Sequence, residues 1–291
     1  MGAADAVPGV SGGTVAFITG IYQELIGSLS KLGPAAVKVL FTQGISAAWR
    51  FINGSFLLTL AMGMLTSLVL LSNIVLYLLA AYPQMLWGFF FGLICASSLV
   101  LSKSIENWDL KNIAMFILGG VSSYVLTGMS SSVLEPSLIN VFFAGMVAIC
   151  AMILPGVSGA FILLMLGLYS YILGALKSID ILIIVTFAAG CFSGLLCFSK
   201  VLNWLFSHYK NLTMALLTGF LAGSLNKVWP WKETLSTRIN SHGEQVADLQ
   251  QNISPLQYQQ VTDLDAQLAA VLALALLGAG LVLLLDKIDN K

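Results

Sequence analysis

The pentapeptide PGVSG occurs twice in this chain, at Pro8–Gly12 and again at Pro155–Gly159, 147 positions later. An apolar run follows each copy, GTVAFITGIY after the first and AFILLMLGLY after the second. Proline lacks a backbone N–H and ends the helix before it, glycine allows close backbone approach, and serine caps the helix that follows. The repeat therefore predicts two helices that are each broken and restarted at an equivalent point.

The composition indicates a membrane protein. Hydrophobic residues make up 58% of the 291 residues and charged residues only 9%, whereas soluble domains carry about 25% charged residues. Lipid must therefore be the solvent for much of the surface. The formal net charge is zero, which gives no electrostatic footprint for a nucleic-acid partner. The four cysteines lie in apolar runs without metal-ligand spacing, so neither a metal site nor a disulfide framework is expected.

Six apolar runs are long enough to cross a hydrocarbon core of about 30 Å. They are predicted at about 55–82, 84–101, 110–128, 179–206, 212–228 and 268–285. The segment Pro34–Asn53 carries apolar residues at helical spacing, which predicts an amphipathic helix on the membrane surface. The polar stretch 231–267 predicts an aqueous loop with short helical pieces such as Gly243–Gln251. The segment WPW at Trp229–Trp231 predicts an aromatic interface anchor.

Two further regions, 1–30 and 138–176, contain the PGVSG copies. The second region is too long for one span and is broken at Pro155, which leaves two short spans or a re-entrant helical hairpin. The seven residues before Pro8 would cover about 10 Å as a helix, too little to cross. If the two copies are structural equivalents, both regions are re-entrant hairpins.

The similarity between the halves extends beyond PGVSG. Tyr22 and Tyr169 stand at the same offset as the motifs. Farther along, GLICAS at Gly92–Ser97 resembles GFLAGS at Gly219–Ser224 with an offset of 127. The shorter offset is explained by the surface helix, which only the first half contains. This order of matches favours an internal duplication.

Duplication predicts an all-α polytopic membrane protein built from two repeats, 1–135 and 136–291. Each repeat is a re-entrant hairpin followed by three transmembrane helices. Because three crossings are an odd number, the second repeat is inverted relative to the first, as in many secondary transporters. Nine Lys and Arg residues then fall on one side and four on the other. The positive-inside rule predicts that the first side and both termini are cytoplasmic and that the loop 231–267 is outside.

A helix restarted at PGVSG presents free N–H groups at its N-terminus, and such an end favours anions. Irregular backbone at membrane depth is tolerated only against protein or a water-filled cavity. Two such ends from inverted halves would meet near the midplane and form an anion site, whereas a structural kink is the alternative for a single copy. The predicted substrate-binding residues are Pro8, Gly9, Ser11, Gly12, Gly13, Thr14, Pro155, Gly156, Ser158 and Gly159.

Asp5 and Glu24 are acidic residues beside the first motif. An acid inside the bilayer is costly and is a functional candidate by default, here for coupling transport to H⁺ or Na⁺. The second copy has Met152 and Tyr171 at the equivalent positions, so the halves are chemically unequal. The alternatives are that Glu24 extends to the interface and that Asp5 lies at a helix end on the cytoplasmic surface.

The stretch MGAADAVPGVSGGTVAFITGIYQELI, with the second PGVSG before a run ending in GLY, resembles the PopT-type family of bacteria, long known only as a domain of unknown function. The resemblance covers essentially the whole chain. It implies a flippase that returns undecaprenyl phosphate, the lipid carrier of cell-wall synthesis, from the outer to the cytoplasmic leaflet of the inner membrane. It implies a polyprenyl-phosphate lipid as the partner and no cofactor. The sequence is compatible with a homo-oligomer.

Two other functions can be compared with the same sequence features. A secondary transporter of a small water-soluble anion would use the same fold. An intramembrane lipid phosphatase is disfavoured, because the sequence shows no nucleophile, histidine and arginine set within the predicted spans. The sequence therefore predicts a transporter and not an enzyme.

Overall fold

The computed structural model describes residues 1–5, 11–128, 134–239 and 245–289. Helices dominate these residues. In chain order they are α1 Gly2–Asp5, α2 Gly12–Ile18, α3 Tyr22–Ser30, α4 Pro34–Gln43, α5 Ile45–Phe51, α6 Gly54–Ala81, α7 Pro83–Lys103, α8 Leu110–Gly128, α9 Leu138–Ile153, α10 Gly159–Met165, α11 Tyr169–Ser178, α12 Ile181–His208, α13 Lys210–Gly223, α14 Pro255–Thr262 and α15 Leu268–Asp289. Between α13 and α14, β1 Lys232–Ile239 and β2 Gln245–Asn252 pair as an antiparallel hairpin.

Within the described residues, five helices are long and apolar enough to cross a membrane, namely α6, α7, α8, α12 and α15. Each coincides with one of the apolar runs in the sequence. The sixth run, 212–228, is a shorter helix than predicted, because α13 has 14 residues and continues only as a 3₁₀ turn at Ser224–Asn226. The chain is a mainly helical, multi-pass membrane protein.

Each PGVSG copy is followed by a short helix, a turn and a second short helix. In the first half these helices are α2 and α3, and the turn between them contains Gly20 at a φ of 74°. In the second half they are α10 and α11, and the turn contains Gly167 at a φ of 72°. A bend of 107° between α10 and α11 fits either a broken span or a re-entrant loop.

The predicted surface helix at 34–53 is two helices. α4 ends at Gly44, whose φ of 85° interrupts the helix before α5 begins. Neither helix has a buried residue. The side chains of Phe41 and Ile45 are 83% and 78% exposed, which suits a segment that lies against lipid. The prediction of one continuous helix was wrong because glycine at a positive φ ends helices.

The helices after each motif correspond in pairs. α6 and α12 both have 28 residues. α7 and α13 both follow a tyrosine with similar backbone angles, φ −139° and ψ 53° at Tyr82 and φ −136° and ψ 48° at Tyr209. α7 packs along α15, and α8 packs along α13. The second long helix of each half therefore pairs with the third helix of the other half.

These two helix pairs touch through backbone at equivalent glycines. A Cβ atom on Gly92 would collide with the carbonyl oxygen of Ala275, and one on Gly219 would collide with that of Phe116. Small residues allow helices in membranes to approach this closely. The similarity of GLICAS and GFLAGS thus has a structural reason, because both segments form the tight contact between halves.

The polar segment after α13 differs from its prediction. The short helix expected at Gly243–Gln251 is wrong over its described part, where residues from Gln245 onward form β2. The interface anchor expected at Trp229–Trp231 is wrong for Trp231, which is only 5% exposed. Its Nε1 donates a hydrogen bond of 2.9 Å to the carbonyl oxygen of Ala266. Trp231 packs with Tyr258 and so fixes this segment against α14 and the start of α15.

The main buried core joins the first motif's helices to both halves. Phe17 and Tyr22, from α2 and α3, pack in one apolar cluster with Ile94 of α7 and with Leu217 and Leu221 of α13. Tyr22 is 2% exposed. This core holds α2, and with it the described part of the first PGVSG, in the interior of the protein.

Candidate functional site

The first motif is described from Ser11 onward, and the predicted site residues Pro8 and Gly9 lie outside the described residues. Ser11 is the N-cap of α2, and its Oγ accepts a hydrogen bond of 3.0 Å from the amide of Gly13. The same hydroxyl donates to the carbonyl oxygen of Met152 at 2.9 Å. The serine predicted to cap the first helix therefore does so, and it also bonds to the second half.

The second motif forms the break between α9 and α10. Gly156 has a φ of 84°, in the left-handed region that favours glycine. Pro155, Gly156 and Gly159 are buried, whereas Ser158 is half-buried. Ser158 takes the N-cap position of α10, but its side chain makes no capping hydrogen bond. The two serines of the repeated motif thus occupy equivalent positions with different bonding.

The two motifs are in direct contact. The amide of Gly156 donates a hydrogen bond of 2.8 Å to the hydroxyl of Thr14, and Thr14 is fully buried. A Cβ atom on Gly13 would lie 2.5 Å from the carbonyl oxygen of Ile153. With the bond from Ser11 to Met152, three contacts join residues 11–14 to residues 152–156. We call this contact region, together with Ser158 and the start of α10 that follows it, the motif junction.

A protein carboxylate occupies the N-terminus of α2. Asp5 Oδ1 accepts a hydrogen bond of 2.6 Å from the amide of Gly12, an arrangement that the helix dipole favours. The other carboxylate oxygen of Asp5 is buried and has no hydrogen-bond partner among the described residues. The amides of Gly12 and Gly13 are therefore both satisfied from within the protein.

The N-terminus of α10 is open by comparison. Within the part of the chain that the structure describes, the amides of Gly159, Ala160 and Phe161 have no hydrogen-bond acceptor, and neither has the hydroxyl of Ser158. The first amides of a helix have no partner inside the helix and bind side chains, water or ligands. The inequality predicted between the halves is therefore present as one filled and one open helix end.

The structure does not bring Glu24 to the motif junction. Glu24 is exposed in the first turn of α3, where its Oε1 accepts a hydrogen bond of 2.8 Å from the side chain of Asn53. Its hydrogen-bond partner Asn53 lies outside both motifs. Among the described residues, Asp5 contacts a motif residue and Glu24 does not.

A polar cavity of about 430 Å³ lies beside the second motif. Lys227 and Lys232 line it together with Phe161, which belongs to the first turn of α10. The ammonium of Lys227 lies 4.5 Å from the centre of the Phe161 ring, and that of Lys232 lies 4.7 Å from the Trp87 ring. We call this cavity the lysine cavity.

In the sequence, these two lysines are two of the four basic residues on the side predicted to be outside, and they indicate only the orientation of the chain in the membrane. Burial lowers the pKa of Lys227. Burial, and to a smaller extent the charge of Lys227, lowers the pKa of Lys232 to about 7. The one sequence signal that could have singled out these lysines is their position on either side of the segment WPW. Lys232 begins the β-hairpin, which the sequence did not predict.

An apolar groove adjoins the lysine cavity. It has a volume of about 480 Å³, and Phe91, Val121 and Trp229 contribute to its walls. The groove and the cavity share Tyr124, Asn226 and Asn252 among their lining residues. A polar compartment and an apolar compartment therefore meet on the same side of the protein as the β-hairpin.

Sequence comparisons identify the family. The model of a family described as undecaprenyl phosphate translocase-like matches residues 1–246. The chain belongs to this family. A polyprenyl-phosphate transporter of Vibrio cholerae serotype O1 is 47% identical over 291 residues, which cover 100% of this chain and 94% of that protein. A polyprenyl-phosphate transporter of Staphylococcus aureus is 34% identical over 248 residues, 79% of this chain and 83% of that protein. No solved structure matches the chain.

The family resemblance seen in the sequence is thereby confirmed. The family and both relatives are named for transport and not for catalysis. The chain is therefore a membrane transporter and not an enzyme, as predicted.

Proposed function

We propose that this protein translocates undecaprenyl phosphate from the outer to the cytoplasmic leaflet of the bacterial inner membrane, where the carrier is reused in cell-wall glycan synthesis. Membership of the undecaprenyl phosphate translocase-like family supports the substrate class, as do the two relatives named polyprenyl-phosphate transporters. The observation that carries the proposal is the buried bond between Thr14 and Gly156, which joins the start of α2 to the break between α9 and α10.

The phosphate group binds at the motif junction in this proposal. Its first partners are the hydroxyl of Ser158 and the open amides at the N-terminus of α10, because these donors have no acceptor among the described residues. The amide of Gly12 joins only after Asp5 has moved, since it now bonds to Asp5, and the amide of Gly13 joins only after its bond to Ser11 has broken. A helix N-terminus binds phosphate without a buried cation, and the apolar tail stays in lipid.

Transport proceeds by alternating access of two inverted repeats, each with a re-entrant hairpin. The equivalent lengths of α6 and α12 support the duplication, as do the equivalent angles at Tyr82 and Tyr209. Inversion follows from the odd number of spans in each half. The distribution of Lys and Arg supports cytoplasmic termini and an outer β-hairpin.

Asp5 is the proposed coupling residue. One of its carboxylate oxygens holds the amide of Gly12, and the other is buried without a partner in the described residues. A proton or a sodium ion on this carboxylate would weaken its hold on Gly12 and free α2 for the phosphate. Glu24 is the second candidate, with the weaker support of an exposed position.

The experiment that tests this function uses the purified full-length protein in lipid vesicles with a fluorescent undecaprenyl phosphate. A membrane-impermeant quencher reports how fast the labelled lipid exchanges between leaflets. We expect exchange to be faster with the protein than in empty vesicles, and excess inorganic phosphate not to compete. Competition by inorganic phosphate would instead indicate a transporter of small anions. Exchange no faster than in empty vesicles, with and without H⁺ and Na⁺ gradients, would contradict the proposal.

A further inference from the structure

We propose that the lysine cavity and the adjoining apolar groove form a docking site for the phosphate monoester and the first isoprene units of a polyprenyl phosphate, distinct from the motif junction. This inference rests on the proposed function. It assigns a ligand site to Lys227 and Lys232, which lie outside both PGVSG motifs. The site lies on the side of the β-hairpin, where a lipid from the outer leaflet would enter.

The cavity is lined by two lysines and, among the described residues, by no acidic side chain. Among the described residues, no carboxylate lies within salt-bridge distance of the ammonium of Lys227 or of Lys232. The ammonium of Lys232 donates a hydrogen bond of 2.6 Å to the carbonyl oxygen of Lys227, so the two residues are in direct contact. Their ammonium groups also lie over the rings of Phe161 and Trp87, and such cation–π contacts hold a cation in a partly desolvated place. An anion would supply the missing charge.

The chemistry of the cavity suits a phosphate monoester. Lysine ammonium groups bind phosphate oxygens as point charges with several donors each. The side chain of Asn252 donates to the backbone and side-chain oxygens of Asn226, at 2.9 Å and 2.7 Å, and so fixes the boundary between cavity and groove. A depressed lysine pKa in a cavity is typical of functional sites, and the pKa of Lys232 is lowered to about 7.

The groove explains why the ligand is a lipid and not a free anion. Its walls between α8 and α13 include Val121, Gly223 and Trp229, and it meets the lysine cavity at Tyr124. Trp229 is fixed there by a hydrogen bond of 2.9 Å from its Nε1 to the carbonyl oxygen of Ile253. Binding sites for amphipathic ligands combine apolar walls with a few placed polar groups. A phosphate held by the lysines would leave its first isoprene units at the groove.

The docking site leads to the motif junction through Phe161. Its ring lines the lysine cavity and contacts Lys227, and its backbone belongs to the first turn of α10, directly after Ser158 and Gly159. In this proposal, a phosphate that leaves the lysines passes along Phe161 to the first turn of α10. The order of events is docking at the lysines, followed by transfer to the motif junction.

The test measures binding of farnesyl phosphate, a short polyprenyl phosphate, to the full-length protein in detergent, with inorganic phosphate as a parallel ligand. The variants are K227M, K232M and the double variant, and K38M is the matched control because Lys38 is exposed on α4. We expect each single variant to weaken farnesyl phosphate binding by about tenfold or more, the typical effect of losing one charge-assisted contact. K38M should bind like the wild type, and inorganic phosphate should bind far more weakly.

Each of the following results would contradict a specific proposal. If the wild type binds farnesyl phosphate and the double variant binds it equally well, the docking site is wrong while the proposed function stands. If the wild type neither binds the lipid nor transports it in vesicles, both are wrong. If inorganic phosphate binds as tightly as the lipid, the groove does not contribute to binding of the isoprene units. The variant K227R/K232R, which keeps both charges, separates loss of charge from loss of folding and should retain binding.

Discussion

The backbone amide of Gly156 donates a hydrogen bond of 2.8 Å to the side-chain hydroxyl of Thr14. The two residues belong to different copies of the repeated segment, so this bond joins the start of α2 in one half to the break between α9 and α10 in the other. Thr14 is fully buried, and a buried amide that loses its acceptor is costly. The junction is therefore a structural element whose loss should affect both stability and transport.

Replacement of Thr14 by valine should destabilise the protein by about 1–3 kcal/mol, because valine keeps the shape of threonine and leaves the amide of Gly156 without an acceptor. T14S keeps the hydroxyl and is the control, with a smaller loss from the missing methyl group. Thermal unfolding in detergent measures both variants. Equal unfolding temperatures for T14V and the wild type would show that the bond does not hold the halves together.

The two motif serines should respond differently to alanine. Ser11 caps α2 and also bonds to Met152, so S11A should cost about 1 kcal/mol of stability or more. Ser158 caps nothing, so S158A should leave the unfolding temperature nearly unchanged. Thermal unfolding of the two variants side by side is the measurement. The reverse order of stability would contradict the assignment of one filled and one open helix end.

Asp5 provides a test of coupling. In D5N the side-chain oxygen can still accept a hydrogen bond from Gly12, but the side chain can no longer bind a proton or sodium ion as a carboxylate. We expect D5N to reach normal expression and to lose transport driven by an ion gradient, measured in vesicles with imposed H⁺ or Na⁺ gradients. E24Q is the control for the second acidic candidate and should stay near wild-type rates. Gradient-dependent transport by D5N would exclude Asp5 as the coupling residue.

Binding at the lysine cavity should depend on pH. At pH values above its pKa of about 7, Lys232 is neutral in the empty cavity. The anion must then bind together with a proton. Affinity for farnesyl phosphate should therefore fall as pH rises from 7 to 9. The other titratable groups around Lys232 are Lys227, Tyr124 across the cavity and Glu233 next in the strand.

The matched variant for this prediction is K232R, because arginine stays charged throughout this range. K232R should bind the lipid with little change between pH 7 and 9. A series of binding measurements at fixed ionic strength checks both proteins. The same pH dependence in K232R and in the wild type would assign the titration to another group.

Much of the architecture could be predicted because it follows from hydrophobicity and from helix-breaking residues. The long apolar runs became α6, α7, α8, α12 and α15, since lipid accepts only segments that satisfy their own backbone. The break at Pro155 was visible because proline ends a helix whatever surrounds it. The single surface helix was wrong at Gly44, where a glycine that helices sometimes tolerate adopts a φ of 85°.

The parts that could not be predicted depend on contacts between distant segments. No local pattern shows that Asp5 fills the N-terminus of α2, because its partner Gly12 lies seven positions farther along the chain. The lysine cavity was missed for a similar reason, since Lys232 contacts the ring of Trp87, which is distant in the sequence. The β-hairpin itself has polar strands, such as QVADLQQN in β2, and these lack the alternation that usually predicts strands.

We propose that the motif junction carries a polyprenyl phosphate across the membrane, and leaflet exchange of labelled undecaprenyl phosphate by S158A in vesicles tests this directly. The account predicts a folded variant with the unfolding temperature of the wild type and an exchange rate lower by about tenfold or more, because a hydroxyl that donates to the phosphate has been removed. Exchange at the wild-type rate by S158A would contradict it.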